Sequence, residues 1–195
     1  MRRLLYIALT GVIAITAACS GKDDTSANVP RRKAYPRIEA YDSAYTRCDS
    51  LFVSFDANSA AVVHVKPSGE SAIECADIVY PRYGMTVYLT AIRSDKKNFE
   101  RRLDDRLERI SLNLGGAYPS AIDVKSPGGY DATVFVCPGI NTPVQALAAD
   151  SVSSTLVSAT LFCDATIMAP DSIAPMVEVI TRDITQMMRS LTIKP

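Results

Sequence analysis

The stretch from Met85 to Leu114 reads MTVYLTAIRSDKKNFERRLDDRLERISLNL, and it contains both periodicities on which the architecture turns. Met85–Ile92 alternates and is rich in β-branched residues, the pattern of a strand with one buried face. Phe99, Leu103, Leu107, Ile110 and Leu114 then recur at intervals of 4, 4, 3 and 4. That spacing predicts one stripe of an α-helix, with Arg101, Arg102, Asp105, Arg106 and Arg109 outside it. Ser94 or Asp95 is placed to cap its start, and Gly115-Gly116 to end it. The charged side could meet an anionic partner. Asp95, Glu100, Asp104, Asp105 and Glu108 interrupt the bases, so the reading favoured is a solvated face.

Upstream, Leu51–Phe55, Ala61–Val65 and Ile73–Tyr80 are β-rich, with breakers at Asp56–Ser59 and Pro67-Ser68-Gly69. Downstream come strand candidates Ala121–Lys125, Ala132–Cys137, Val144–Ala149 and Leu156–Thr166. A second helix follows Ala169-Pro170, with Asp171 or Ser172 as its cap and Pro175 expected in its first turn. Its stripe is Ile173, Val177, Ile180, Ile184, Met187 and Leu191; Met187-Met188 reads as core packing rather than a sticky surface. Consecutive hairpins with two long one-sided helices predict an α+β domain, a mainly antiparallel sheet packed by two amphipathic helices. The expected domain runs from residue 35 to residue 195.

The first 34 residues are of another kind. Met1-Arg2-Arg3 is a basic start, and Leu4–Ala18 is an apolar run too short for the roughly 20 residues a bilayer span needs. Residues 1–18 therefore read as a signal peptide. Thr16-Ala17-Ala18-Cys19 resembles a bacterial lipoprotein processing site, which makes Cys19 the expected acylated N-terminus, palmitate being a typical chain. The alternative is an ordinary signal peptide with Cys19 incidental. Acyl chains contribute about 0.8 kcal/mol per buried methylene, so several of them anchor a protein without a membrane-spanning segment. Residues 19–34, polar and nearly free of large apolar groups, read as a flexible tether. Its Lys22-Asp23-Asp24 cluster resembles a surface-export signal of some Bacteroidetes lipoproteins, or is solubilising filler.

The 195 residues are 48% hydrophobic and carry 21 basic against 21 acidic side chains, which excludes a disordered chain and gives no electrostatic footprint for nucleic acid. Setting Cys19 aside leaves Cys48, Cys75, Cys137 and Cys163, an even number in an exported protein, which invites disulfides. Cys48 with Cys75 is the favoured bridge, tying the N-terminal segment to a strand start. Cys137 with Cys163 is less secure: two strand spacings are about 9.5 Å, whereas a bridge needs Cα atoms within about 7 Å. It forms if either cysteine lies past its strand end.

Chemistry is sparse. No phosphate-binding, nucleophile-elbow, dinucleotide or zinc-protease motif occurs, and no CxxC. His64, in an alternating strand, reads as structural. Glu70, Glu74 and Asp77 cluster near Cys75 at spacings that distinguish no general acid from a solvated surface group. The expectation is no catalytic residue, no metal and no cofactor. A hydrolase reading would require Cys137 or Cys163 to be free, exposed and near His64. Tyr and Arg favour interface hot spots, so Tyr35, Arg37, Tyr80, Arg82 and Tyr83 are the candidate interaction surface; the alternative is that these aromatics pack over the sheet edge.

Several landmarks resemble the gliding motility lipoprotein D (GldD) family of Bacteroidetes. They are Tyr35-Pro36-Arg37-Ile38, Ile78-Val79-Tyr80-Pro81-Arg82-Tyr83 followed by Thr86-Val87-Tyr88-Leu89-Thr90, and the block from Ala159 to Leu191 with Pro170-Asp171-Ser172-Ile173-Ala174-Pro175. Ala34, where a glycine is expected, and Gly115–Ser120 depart from the pattern. The resemblance implies a non-catalytic accessory or scaffold lipoprotein of the cell envelope, associated with gliding motility and type IX secretion. It would sit on the outer membrane in either leaflet, with the lipid and other envelope proteins as its partners. A periplasmic module that binds a lipid or small apolar ligand is the alternative, to be recognised by a deep apolar cavity.

Overall fold

The computed structural model describes residues 39–66, 72–163 and 170–194. The signal peptide, Cys19, the tether, Tyr35, Arg37 and Glu70 lie outside the described residues, as does the end of the strand expected to reach Thr166. Among the described residues, β1 (Tyr45–Cys48), β2 (Val53–Asn58) and the C-terminal β10 (Thr192–Ile193) form a small antiparallel sheet in the order β1-β2-β10. Seven strands form the main sheet: β3 (Val62–Lys66), β4 (Ile73–Tyr80), β5 (Met85–Arg93), β6 (Ser120–Lys125), β7 (Asp131–Val136), β8 (Val144–Asp150) and β9 (Thr155–Phe162). Their order is β3-β4-β5-β9-β8-β7-β6, antiparallel throughout. Two helices follow among the described residues, α1 (Lys96–Leu114) and α2 (Pro170–Arg189). The α+β class and the antiparallel sheet are those expected.

Period-2 alternation sorts the layers. Met85, Val87, Leu89 and Ala91 of β5 join Val157, Ala159 and Leu161 of β9 in the large apolar cluster, whereas Ile92 and Leu156, of opposite parity, join Phe99 of α1 in a small one. The main sheet therefore carries α1 on one face, and α2 with the small sheet on the other. α2 buries Ile173, Val177, Ile180, Ile184, Met187 and Met188 against that second face. It is the element that closes the core.

α1 differs from its expected stripe. Only Phe99 and Ile110 are buried, while Leu107, expected inward, is 42% exposed. On the strand face beneath α1, Ile92, Leu147 and Leu156 share the surface with Cys75, Thr90, Ser158 and Gln145, and Asn113 of α1 donates to Gln145 at 2.9 Å. Its ends behave as read: Asp95 caps by accepting the amide of Asn98 at 2.8 Å, and Gly115 closes the helix at φ 59°.

α2 begins earlier than expected. Pro170 takes the first helical position, where its missing N–H costs little, and Pro175 consequently falls inside the helix rather than in its first turn. The strands β1 and β10, not anticipated, are held by Arg47, which donates to the carbonyl of Ser190 at 2.6 Å and also contacts Thr192.

Candidate functional site

β6 lies at an edge of the main sheet, and α2 does not close fully onto it. A groove of about 660 Å³ runs between them. Ile122 and Val136 from the strands, with Pro138 and Pro143 from the β7–β8 connection, form one wall. Ile173, Ala174 and Val177 of α2 form the other, and Glu178, Arg182 and Arg189 supply charge along α2. The volume is in the range of small-molecule sites, about 300–1,000 Å³.

Beside the groove a buried carboxylate joins three elements. Asp183 of α2 is 2% exposed and accepts the Tyr45 hydroxyl at 2.9 Å and the Asn58 amide at 3.1 Å. Arg182 Nε stands 3.8 Å away. Burial pushes the Asp183 carboxyl above its ordinary value, and the donors from Tyr45, Tyr80 and Asn58 offset part of that rise. Burial and Asp183 also push both tyrosine hydroxyls upward. Tyr45 and Arg182 line the groove as well, so the network ties its wall to the core. Asp183 was legible in principle. It stands three residues after Ile180 and four before Met187, inside the apolar stripe, where an acid requires buried partners.

The candidate interaction surface is placed differently. Tyr80 and Tyr83 are 1% and 4% exposed and cluster with Tyr41, ring centroids 5.8 and 4.7 Å from its own. The Tyr83 hydroxyl donates to the carbonyl of Glu39, the Tyr41 amide donates to that hydroxyl, and the Arg82 amide donates to the Tyr41 hydroxyl. These residues clamp the leading segment of the domain onto the β4–β5 turn. Of the described candidates Tyr80, Arg82 and Tyr83, Arg82 alone reaches solvent, stacked 4.9 Å over the Tyr41 ring.

All four cysteines of the domain are free thiols. Cys48 packs against the large apolar cluster, while Cys75, at the parity opposite to Ala76 and Ile78, lies on the α1 side with its Sγ 3.9 Å from Thr90 Oγ1. The sheet separates them. Cys137 and Cys163 both lie just past their strand ends, where their amides donate to Pro143 and Asn141. Cys163 belongs to the large cluster and Cys137 does not. Both are buried, and His64 is exposed on β3, three strands from β9 and about 14 Å across the sheet. The structure does not assemble the nucleophile arrangement that a hydrolase reading requires. The carboxylates near Cys75 have structural contacts: Glu74 accepts the Phe52 amide, and Asp77 pairs with Lys66 at 2.7 Å.

Among the described residues no group of three or more His, Cys, Asp and Glu side chains could hold a metal ion, and no helix is long and apolar enough to cross a membrane. Fold and site together define an α+β domain with an apolar surface groove beside its core helix. The chain belongs to the gliding motility lipoprotein GldD family, whose sequence model matches residues 25–193. A comparison with curated proteins finds no match. Membership makes this a gliding-motility-associated lipoprotein of the cell envelope.

Proposed function

We propose that the protein is a non-catalytic accessory or scaffold component of the gliding and type IX secretion machinery, held at the outer membrane by acyl chains on Cys19. In this reading residues 1–18 are the leader, 19–34 the tether, and 35–195 the working domain. The observation that carries it is the family match from residue 25 to residue 193, which covers nearly all of that domain. An anchored domain with its own core needs only its surface to hold partners together. Purification of the lipidated protein from native membranes should bring other envelope proteins with it. Normal secretion, motility and envelope integrity in a deletion strain would refute the reading.

One observation favours a second reading, that the domain binds a lipid or small apolar ligand. It is the apolar groove of about 660 Å³ beside α2. Organic extraction of the protein purified from native membranes should release a bound lipid, and a bulky residue placed in the groove should abolish its recovery.

A further inference from the structure

We propose that the groove beside α2 binds a single-chain amphiphile with an acidic head, a free fatty acid in its simplest form. The chain lies along the helix, and its carboxylate lies at the Arg189 end. This rests on the second, ligand-binding reading above and specifies the occupant.

Shape admits such a chain. The lining residues on α2 run from Ile173 to Arg189, about 24 Å at the helical rise. An extended single hydrocarbon chain can lie along a groove of that length and of about 660 Å³.

The wall chemistry agrees. Ile173, Ala174 and Val177 face Ile122 and Val136. Thr181 and Thr185 also line the groove, but each donates its hydroxyl to the helix backbone at 2.7 Å, to Val177 and Thr181 respectively. Their hydrogen-bond donors are spent within the helix and ask nothing of a ligand.

Charge fixes the direction. Glu178 lies toward the start of the groove, about 16 Å along the helix from Arg189, and disfavours an anion there. Arg182 is engaged with Asp183 and with the Tyr41 carbonyl at 3.3 Å. Arg189 is exposed and has no ion-pair partner among the described residues. The C-terminal end of a helix repels anions. The Arg189 guanidinium is therefore what makes this end receptive, and its removal should be felt strongly.

The test uses the full chain in its native membranes. Two photoactivatable probes are compared, a diazirine-bearing hexadecanoic acid and its methyl ester, and cross-links are mapped by mass spectrometry. The acid should label α2 and β6 residues of the groove at least fivefold more than the ester. Arg189→Gln should remove that preference while leaving the ester unchanged. Ala174→Trp, at an exposed helix position, should suppress labelling by both. Equal labelling by acid and ester, unchanged in Arg189→Gln, would overturn the acidic head and leave the ligand-binding reading standing. No groove labelling by either probe, as expected if a peptide or another protein occupies it, would overturn both.

Discussion

The hydroxyl of Tyr45 on β1 donates to a carboxylate oxygen of Asp183 on α2 across 2.9 Å, and this bond joins the small sheet to the helix that closes the core. Asp183 also takes the Asn58 amide from β2, so one buried acid holds both strands. Replacing Asp183 by Ala removes the acceptor of the Asn58 amide and of the Tyr45 and Tyr80 hydroxyls, and a donor left buried without a partner costs about 1–3 kcal/mol. Asp183→Ala should lower unfolding free energy by about 2–4 kcal/mol, read as a shift of the urea midpoint at constant slope. A shift below about 0.5 kcal/mol would show that the network carries no stability.

The same carboxyl predicts a pH dependence. Its folded pKa lies above the ordinary 3.8, so between those two values the folded state binds more protons than the unfolded one. Stability from this group therefore falls as pH rises through that window, and the charged form is the unfavourable one above it. Asp183→Asn has no such titration. The stability difference between wild type and Asp183→Asn should move in favour of wild type as pH is lowered toward 3.8, and a flat or opposite trend would contradict the assignment.

Burial pushes the Cys163 thiol up to about 11. At pH 8 about one part in a thousand is thiolate, the form that reacts. Alkylation of the folded protein, resolved by peptide mass, should modify half-buried Cys48 and Cys75 first and Cys163 last. Modification of Cys163 as early as Cys48 would contradict its placement.

The two helices should differ in what they carry. Ile184 on α2 is fully buried, and Ile184→Ala should cost about 2–5 kcal/mol. Leu112 on α1 is 72% exposed, and Leu112→Ala should stay within about 0.5 kcal/mol. Comparable losses at the two sites, in urea titrations, would contradict the layer arrangement.

Gly115 closes α1 at φ 59°, in the left-handed region, with no atom near enough to obstruct a Cβ. Gly115→Ala should therefore cost about 1 kcal/mol through backbone strain alone. The loss should appear as a lower unfolding midpoint with unchanged far-ultraviolet circular dichroism.

Most strands of the main sheet were legible because alternation is a local signal. Met85–Ile92 and Ile73–Tyr80 read as strands and are strands, and Asp95 and Gly115 bound α1 as their chemistry requires. β1 and β10 were not legible. Tyr45–Cys48 and Thr192–Ile193 are short and gain order by pairing with β2, which for β10 lies far away along the chain. Leu107 was assigned inward because periodicity identifies a helix face without saying what lies beneath it. Tyr80 and Tyr83 could have pointed to a partner or into the domain, and their packing with Tyr41 settles the matter.

By itself the sequence determined the α+β class, most strands of the main sheet, both helices and the caps of the first, and the family landmarks from Tyr35 to Leu191. Each of these depends on residues close together in the chain. Only the tertiary structure decided which faces meet, and so it alone places Asp183 beneath Tyr45, separates Cys48 from Cys75 by a sheet, and leaves a groove between α2 and β6. Grooves and buried polar networks arise where distant segments fail to close or must share a charge, and no local pattern records that.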